Sequence, residues 1–374
     1  MNRRTFILAS SAGLASCARL RVHRRAEALL SDEAIRAILR RRIDVERRAT
    51  GMAVGLFEGG SRRVITYGNQ DSAGARPVGV DTLFEIGSLT KVFTALLLAD
   101  MVDRRELQFD DPVDRYLPSG IRTPQRSGRA ITLADLATHT SGLPLFPPIT
   151  GNPLDALARY TASDLRSWLT GFTLSRDPGA QWEYSNVGYC LLGLALANKA
   201  GTTYDALLNR RIIDPLRLKD TTLHPTGEAT RRMAVGHDPR LAPTPPLDLA
   251  IFAPAGALRS TLEDLLSFVR AVLPGSRSPL EGPAQLLVSI RRPAPVIGGD
   301  QALGWEVVTG TEPFVVKDGV TAGQAATIVL DAPRQVGVVV LSNALPVRMK
   351  APPDGGVGAA DLARHLIRPA FPVG

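Results

Sequence analysis

The run from Lys91 to Val102, Lys-Val-Phe-Thr-Ala-Leu-Leu-Leu-Ala-Asp-Met-Val, is apolar on nearly every helical face and reads as a buried helix. A chain carrying such a helix must fold around it. Ser88-Leu89-Thr90 leads directly into it. A serine at a helix N-terminus has its hydroxyl near unpaired backbone N–H groups and the positive end of the helix dipole. Lys91, three residues on, lies on the same helical face. An amine buried beside other cations loses its proton more easily and can act as a base, so this pair can activate a serine without a histidine.

Lysine usage sharpens the point. Of 44 Lys and Arg residues only five are lysines: Lys91, Lys199, Lys219, Lys317 and Lys350. Arginine cannot deprotonate in a protein, so each lysine raises the question of why arginine does not stand there. Lys199, Lys219 and Lys350 are read as incidental survivors of a bias toward arginine.

A chain of 374 residues can build one large domain or two. Its 44% hydrophobic and 21% charged content is ordinary for a globular protein. The net charge of +8 does not imply a nucleic-acid partner. The arginines are scattered and lack the interleaved aromatics that stack bases. The dense cluster from Arg19 to Arg48 includes a helix expected from Ser31 to about Arg48, with Ile35, Ile38, Leu39 and Ile43 at near-helical spacing. A solvated basic face is favoured there over a surface for anionic lipid or polymer.

Residues 1–20 read as an export signal. Arg3-Arg4-Thr5-Phe6-Ile7 resembles a twin-arginine signal, and the apolar stretch from Phe6 to Ala15 is too short to span a bilayer, which needs ~20 residues. Leu14-Ala15-Ser16-Cys17 resembles a lipobox, which implies a lipid on Cys17 and attachment to a membrane; the alternative is a plain cleavable signal. The expected location is the periplasm or cell envelope. The other cysteine, Cys190, lies in an apolar setting and reads as a buried, inert thiol, and no disulfide is expected.

Residues 21–50 form a linker and helix ahead of a domain spanning 51–370. Met52 to Glu58 and Arg63 to Tyr67 read as a hairpin turning at Gly59-Gly60. The middle of the chain is mostly helical: Thr132 to Thr138, Ala162 to Leu169, Val187 to Ala200, Tyr204 to Arg211 and Thr261 to Leu273. Loops rich in Pro and Gly are expected at 142–153, 238–256 and 274–300. Strands return at Gly304 to Thr309, Phe314 to Lys317, Ala325 to Leu330 and Val336 to Leu341, and Ala359 to Ile367 closes with a helix. Strands at both ends with helices between predict an α+β fold. One antiparallel sheet drawn from both termini is flanked by helices, a helical subdomain stands beside it, and the site lies in the cleft between them.

Two further motifs complete a candidate site. Tyr184-Ser185-Asn186 is expected in a loop before the helix starting at Val187. Lys317-Asp318-Gly319 lies on a predicted strand, whose alternation puts residues 317 and 319 on one side. Gly319 would let a substrate backbone approach closely. Tyr67-Gly68-Asn69 and Lys199-Ala200-Gly201 repeat these patterns in the wrong contexts, a strand end and a helix C-terminus.

In this combination and order the chain resembles the serine β-lactamase and penicillin-binding protein superfamily. It is most similar to class C β-lactamases and their D-alanyl-D-alanine carboxypeptidase and esterase relatives. The resemblance extends to Phe84–Lys91, Leu136–Leu143, Tyr184–Gly193, Pro254–Thr261, Leu303–Trp305 and Val336–Asn343, and covers roughly residues 28–370. It implies a β-lactamase/transpeptidase-like fold and gives each motif a role. Ser88 is the acylated nucleophile, Lys91 takes or relays its proton, and Tyr184 is partner base and then acid. Lys317 supplies a second cation, and Asn186 binds the substrate amide. The backbone N–H groups of Ser88 and Val320 form the oxyanion hole. Tyrosine, with a reference pKa near ~10, needs such cations to act as a base at neutral pH.

The middle residue of the third motif departs from the pattern. A hydroxyl there can bind a substrate carboxylate, whereas Asp318 would repel it unless it points away or pairs with an arginine. Gln324 stands where an aromatic residue is common. His139 is expected to be a structural hydrogen-bonding residue. No metal and no cofactor are expected, because no His-Glu-x-x-His, nucleophile elbow or phosphate loop occurs. The expected activity is an exported serine hydrolase, acting as a monomer on D-Ala-containing wall peptides or β-lactams. The alternatives are an esterase of the same fold and a non-catalytic module that binds peptidoglycan.

Overall fold

The computed structural model describes residues 29–74, 76–295, 298–310, 313–345 and 359–367. The expected export signal, Cys17 and the first part of the 21–50 linker lie outside the described residues.

Seven helices and eight strands carry the architecture. The helices are α1 (Asp32–Arg40), α2 (Thr90–Asp103), α3 (Leu133–Ala137), α4 (Ala162–Gly171), α5 (Asn186–Lys199), α6 (Leu262–Val272) and α7 (Ala359–Ile367). The strands are β1 (Gly51–Glu58), β2 (Ser61–Gly68), β3 (Arg292–Ala294), β4 (Gly299–Gln301), β5 (Glu306–Val308), β6 (Phe314–Val320), β7 (Ala325–Asp331) and β8 (Val336–Ser342). They form one antiparallel sheet in the order β2-β1-β8-β7-β6-β5-β4-β3. The N-terminal hairpin docks on the C-terminal strands with Val54 opposite Val340, as expected for a sheet built from both ends of the chain.

Strands β7 and β8 are buried along their whole length, and β1 is buried up to Glu58. This follows from cover on both faces of the sheet. Met52, Val54 and Leu56 join one core with Ile35 and Leu39 of α1 and Leu362 and Leu366 of α7. Ala53 and Phe57, one residue out of phase, join the other core with Leu262 and Leu265 of α6. Gly55 lets α6 sit close, because a Cβ there would lie 2.8 Å from the Leu262 side chain. On the first face Arg42 and Asp361 form a salt bridge at 2.8 Å, both almost fully buried, that ties the turn after α1 to α7.

Helix α2 has no polar face: every residue from Thr90 to Met101 is buried. It runs inside the second core between the sheet side and the helical region, stacking Phe93 on Phe268 of α6 at 4.3 Å. The capped helices start where their side chains dictate. Thr132 with Asp135, and Thr161 with Asp164, make reciprocal capping boxes.

Several boundaries differ from expectation. The 274–300 loop contains a helix, Glu281–Leu286, and strands β3 and β4. These strands are three residues long at the sheet edge, too short to show alternation. The 238–256 loop includes the helix Ala253–Gly256. The strand expected at 304–309 shortens to β5, because Gly304 has φ +75. Helix α1 ends at Arg40 and continues as a π-helical turn, Arg41–Val45. Asn186 is the first residue of α5 rather than part of a loop, since Ser185 caps that helix by accepting from Gly188 N–H at 2.9 Å.

Candidate active site

Ser88 occupies a 3-10 turn, Gly87–Leu89, that feeds α2. The turn is fixed at its edges. Thr90 Oγ1 donates to the Gly87 carbonyl at 2.7 Å and accepts from Leu258 N–H at 3.1 Å. Strand β6 passes tight against it. A Cβ on Gly319 would lie 1.9 Å from the Ile86 carbonyl, and a Cβ on Gly87 would lie 2.6 Å from Val320 N. The close approach at Gly319 is therefore first an approach to the chain's own backbone. It sets the Val320 amide beside the Ser88 turn.

Lys91 is wholly buried. Its ammonium donates to Ser88 Oγ at 3.1 Å, Asn186 Oδ1 at 2.7 Å and the Ala255 carbonyl at 2.6 Å. Tyr184 Oη donates to the same Ser88 Oγ at 2.6 Å. The Tyr184 ring lies between two cations, with Lys91 Nζ 4.7 Å and Lys317 Nζ 5.0 Å from its centroid. Lys317 in turn pairs with Glu306 of the neighbouring strand at 3.1 Å. Ser88, Lys91, Tyr184, Asn186 and Lys317, scattered over more than two hundred residues of sequence, converge on one point.

The charges sort the two lysines. Burial pulls the Lys91 amine down to about 8; the Tyr184 phenolate opposes this and the Lys317 charge adds to it. Burial acts on Lys317 in the same sense, but the Tyr184 phenolate and the Glu306 carboxylate outweigh it and hold that amine above its ordinary value. Burial would raise Tyr184, yet the Lys91 and Lys317 charges overcome it and hold the phenol below its ordinary value. The site thus has one amine that releases its proton readily, one that keeps it, and a tyrosine biased toward phenolate.

Asp318 lies on the opposite face of β6 from Lys317. Its carboxylate accepts from Thr327 Oγ1 at 2.9 Å and pairs with Arg364 of α7 at 3.1 Å. Both routes by which its charge could be kept from a substrate are therefore present: it points away, and it is paired. Gln324 is buried and ties backbone together, accepting from Glu85 N–H at 3.0 Å and donating to the Ala234 carbonyl at 3.0 Å.

Sequence reasoning missed Glu306 and the Ala255 carbonyl. It treated His139 as a hydrogen-bonding residue, and His139 is buried with Nδ1 accepting from Ser185 N–H at 3.1 Å. Cys190 is buried and unpaired, and burial pushes its thiol up, as befits an inert cysteine. Among the described residues no group of three His, Cys, Asp or Glu side chains is placed to hold a metal ion, and no helix is long and apolar enough to cross a membrane.

The chain is 36% identical over 187 residues to the D-alanyl-D-alanine-carboxypeptidase/endopeptidase AmpH of Escherichia coli (strain K12), covering 50% of this chain and 49% of that one. The chain thus spans about half the length of that relative. It is 28% identical over 317 residues to a β-lactamase of Pseudomonas fluorescens, covering 83% of each. In fold it matches a β-lactamase/D-alanine carboxypeptidase from Yersinia pestis, with TM-score 0.76 at 22% identity over 91% of this chain and 99% of that one. The β-lactamase family profile matches residues 32–360, nearly all of the described fold and every residue around Ser88, and the chain belongs to that family.

Proposed function

We propose that this protein is an exported serine hydrolase that works through a covalent acyl-enzyme on Ser88. Its substrates are cell-wall peptides containing D-Ala, and β-lactams. The observation that carries the reading is the double contact on one oxygen: Ser88 Oγ lies 2.6 Å from Tyr184 Oη and 3.1 Å from Lys91 Nζ.

Ser88 Oγ attacks the substrate carbonyl and its proton passes to the Tyr184–Lys91 pair. The carbonyl oxygen becomes an oxyanion facing the N–H groups of Ser88 and Val320, donors of a kind whose loss costs ~10²–10³ in rate. The C–N bond breaks, the pair returns the proton to the leaving amine, and the acyl group remains on Ser88. Water activated by the same pair then attacks the ester and frees Ser88. Asn186 orients the substrate amide, and Lys317 supplies fixed positive charge. Asp318, paired with Arg364, does not oppose a substrate carboxylate at Lys317. Residues 1–20 direct the chain to the cell envelope, with a lipid on Cys17 as its attachment, and the enzyme acts as a monomer.

Ester hydrolysis at the same site is the second reading, because an ester without a carboxylate makes no demand on residue 318. A peptidoglycan-binding module without chemistry has no use for a lysine held near pH 8 against a serine. Release of D-Ala from a peptide ending in D-Ala-D-Ala, measured beside hydrolysis of a p-nitrophenyl ester, separates these. D-Ala release that disappears in Ser88→Ala is the expected result. Ester turnover alone would reject the peptide reading, and turnover of either substrate by Ser88→Ala would reject the nucleophile.

A further inference from the structure

Tyr184, unlike Lys91, Asn186 and Lys317, stands outside regular secondary structure, so something other than a helix or strand must aim it. The segment 183–186 is laid along 139–145 by four bonds, and two of them end on His139. Glu183 N–H donates to the His139 carbonyl at 2.8 Å, and Ser185 N–H donates to His139 Nδ1 at 3.1 Å. The residues on either side of Tyr184 are thus both tied to one histidine. The imidazole also packs on the Tyr184 ring, with centroids 4.3 Å apart, and is backed by Tyr189 at 5.1 Å.

Two features of His139 are costly unless the position has a use. Its backbone has φ +59, in the left-handed region that most side chains avoid. Its Nε2 is buried with no hydrogen-bond partner among the described residues. An apolar residue would remove the second cost, and would leave the Ser185 N–H without an acceptor.

We propose that His139 is the positioning residue for Tyr184, a neutral clamp that holds the phenol against Ser88 Oγ from both of its peptide neighbours. The clamp needs Nδ1 unprotonated, because a protonated ring has no acceptor. The groups facing the ring enforce this: Lys91 from α2 and Lys317 from β6 are cationic, while Tyr184 and Tyr189 offer it no carboxylate. Burial and those two charges hold the imidazole well below its ordinary pKa. This inference rests on the reading of Tyr184 as proton carrier.

The test compares His139→Asn and His139→Gly, each alone and with Tyr184→Phe, by the rate of acylation against pH. Both replacements tolerate the left-handed backbone. Only asparagine keeps an acceptor near the Nδ1 position. The expected result is a loss of about 10²-fold in His139→Gly, the scale of a small misplacement of a reacting group. Its acid limb moves to lower pH, because a displaced Tyr184 no longer holds up the pKa of Lys91. His139→Asn keeps most of the rate and the wild-type limb. In the Tyr184→Phe background the glycine change costs little further. Equal losses in both His139 variants, an unmoved limb in His139→Gly, or an undiminished cost in the Tyr184→Phe background would each overturn the clamp. Full activity of Tyr184→Phe alone would instead overturn the role of Tyr184, a separate failure.

Discussion

Lys317 Nζ lies 3.1 Å from the Glu306 carboxylate, whereas Lys91 has no carboxylate partner among the described residues. The same side chain is thereby given two characters within one site. Lys91, desolvated and beside another cation, gives up its proton near neutrality; Lys317, countered by Glu306, keeps its own. Tyr184 sits between them and is drawn toward its phenolate.

With Lys91 acting as a neutral amine, as proposed, acylation of Ser88 should rise with pH up to about 8 and then level, since the Lys91 pKa is about 8. Lys91→Arg retains charge but cannot deprotonate. It should lose this limb and about 10²–10⁴ in rate. Pre-steady-state acylation across a pH series checks both.

Glu306→Gln removes a neighbour that raises the Lys317 pKa. Lys317 then deprotonates at lower pH, and the alkaline limb of kcat/KM should move down. A steady-state pH profile reads this. An unmoved limb would mean that Glu306 does not tune Lys317.

Asp318→Ala should leave the ratio of D-Ala-D-Ala to p-nitrophenyl ester turnover nearly unchanged, because the carboxylate faces Arg364 rather than Lys317. Loss of this partly exposed pair should cost less than about 1 kcal/mol in stability. A strong rise in turnover of the carboxylate-bearing peptide would show that Asp318 acts on substrate after all.

Asp361→Ala removes the carboxylate that pairs with buried Arg42, just after α1, from α7. Breaking a buried pair from one side costs about 3–5 kcal/mol. Urea denaturation should show a lower midpoint with catalytic constants of the surviving folded enzyme unchanged.

The fold class, the central strands and the residues that converge on Ser88 were legible because each rests on local signals. The apolar run of α2 had to be interior. Alternation along β6 put Lys317 and Gly319 on one side, and Thr132 and Thr161 mark helix starts by their own hydroxyls, whereas the Ser185 cap was read as loop. Glu306 was not legible, because its nearness to Lys317 depends on the register that sets Glu306 opposite Val316 across two strands. Arg364 was hidden for the same reason: it meets Asp318 only once α7 packs on the sheet, 46 residues further along. Gly319 was read for its freedom toward a substrate. The Ile86 backbone that it accommodates belongs to a turn more than two hundred residues earlier, which no local pattern reveals. The three-residue strands β3 and β4 are held by their neighbours' hydrogen bonds rather than by propensity.

The most direct test of the acyl-enzyme is the intact mass of the protein truncated after Cys17, followed over time with a penicillin beside Ser88→Ala. An adduct of the penicillin's mass on the wild type, absent from Ser88→Ala, is the predicted result. Its persistence would mark a peptidase that traps the drug, and its rapid loss with drug hydrolysis a β-lactamase. An adduct that survives Ser88→Ala, or none at any time in the wild type, would contradict acylation of Ser88 by this substrate class.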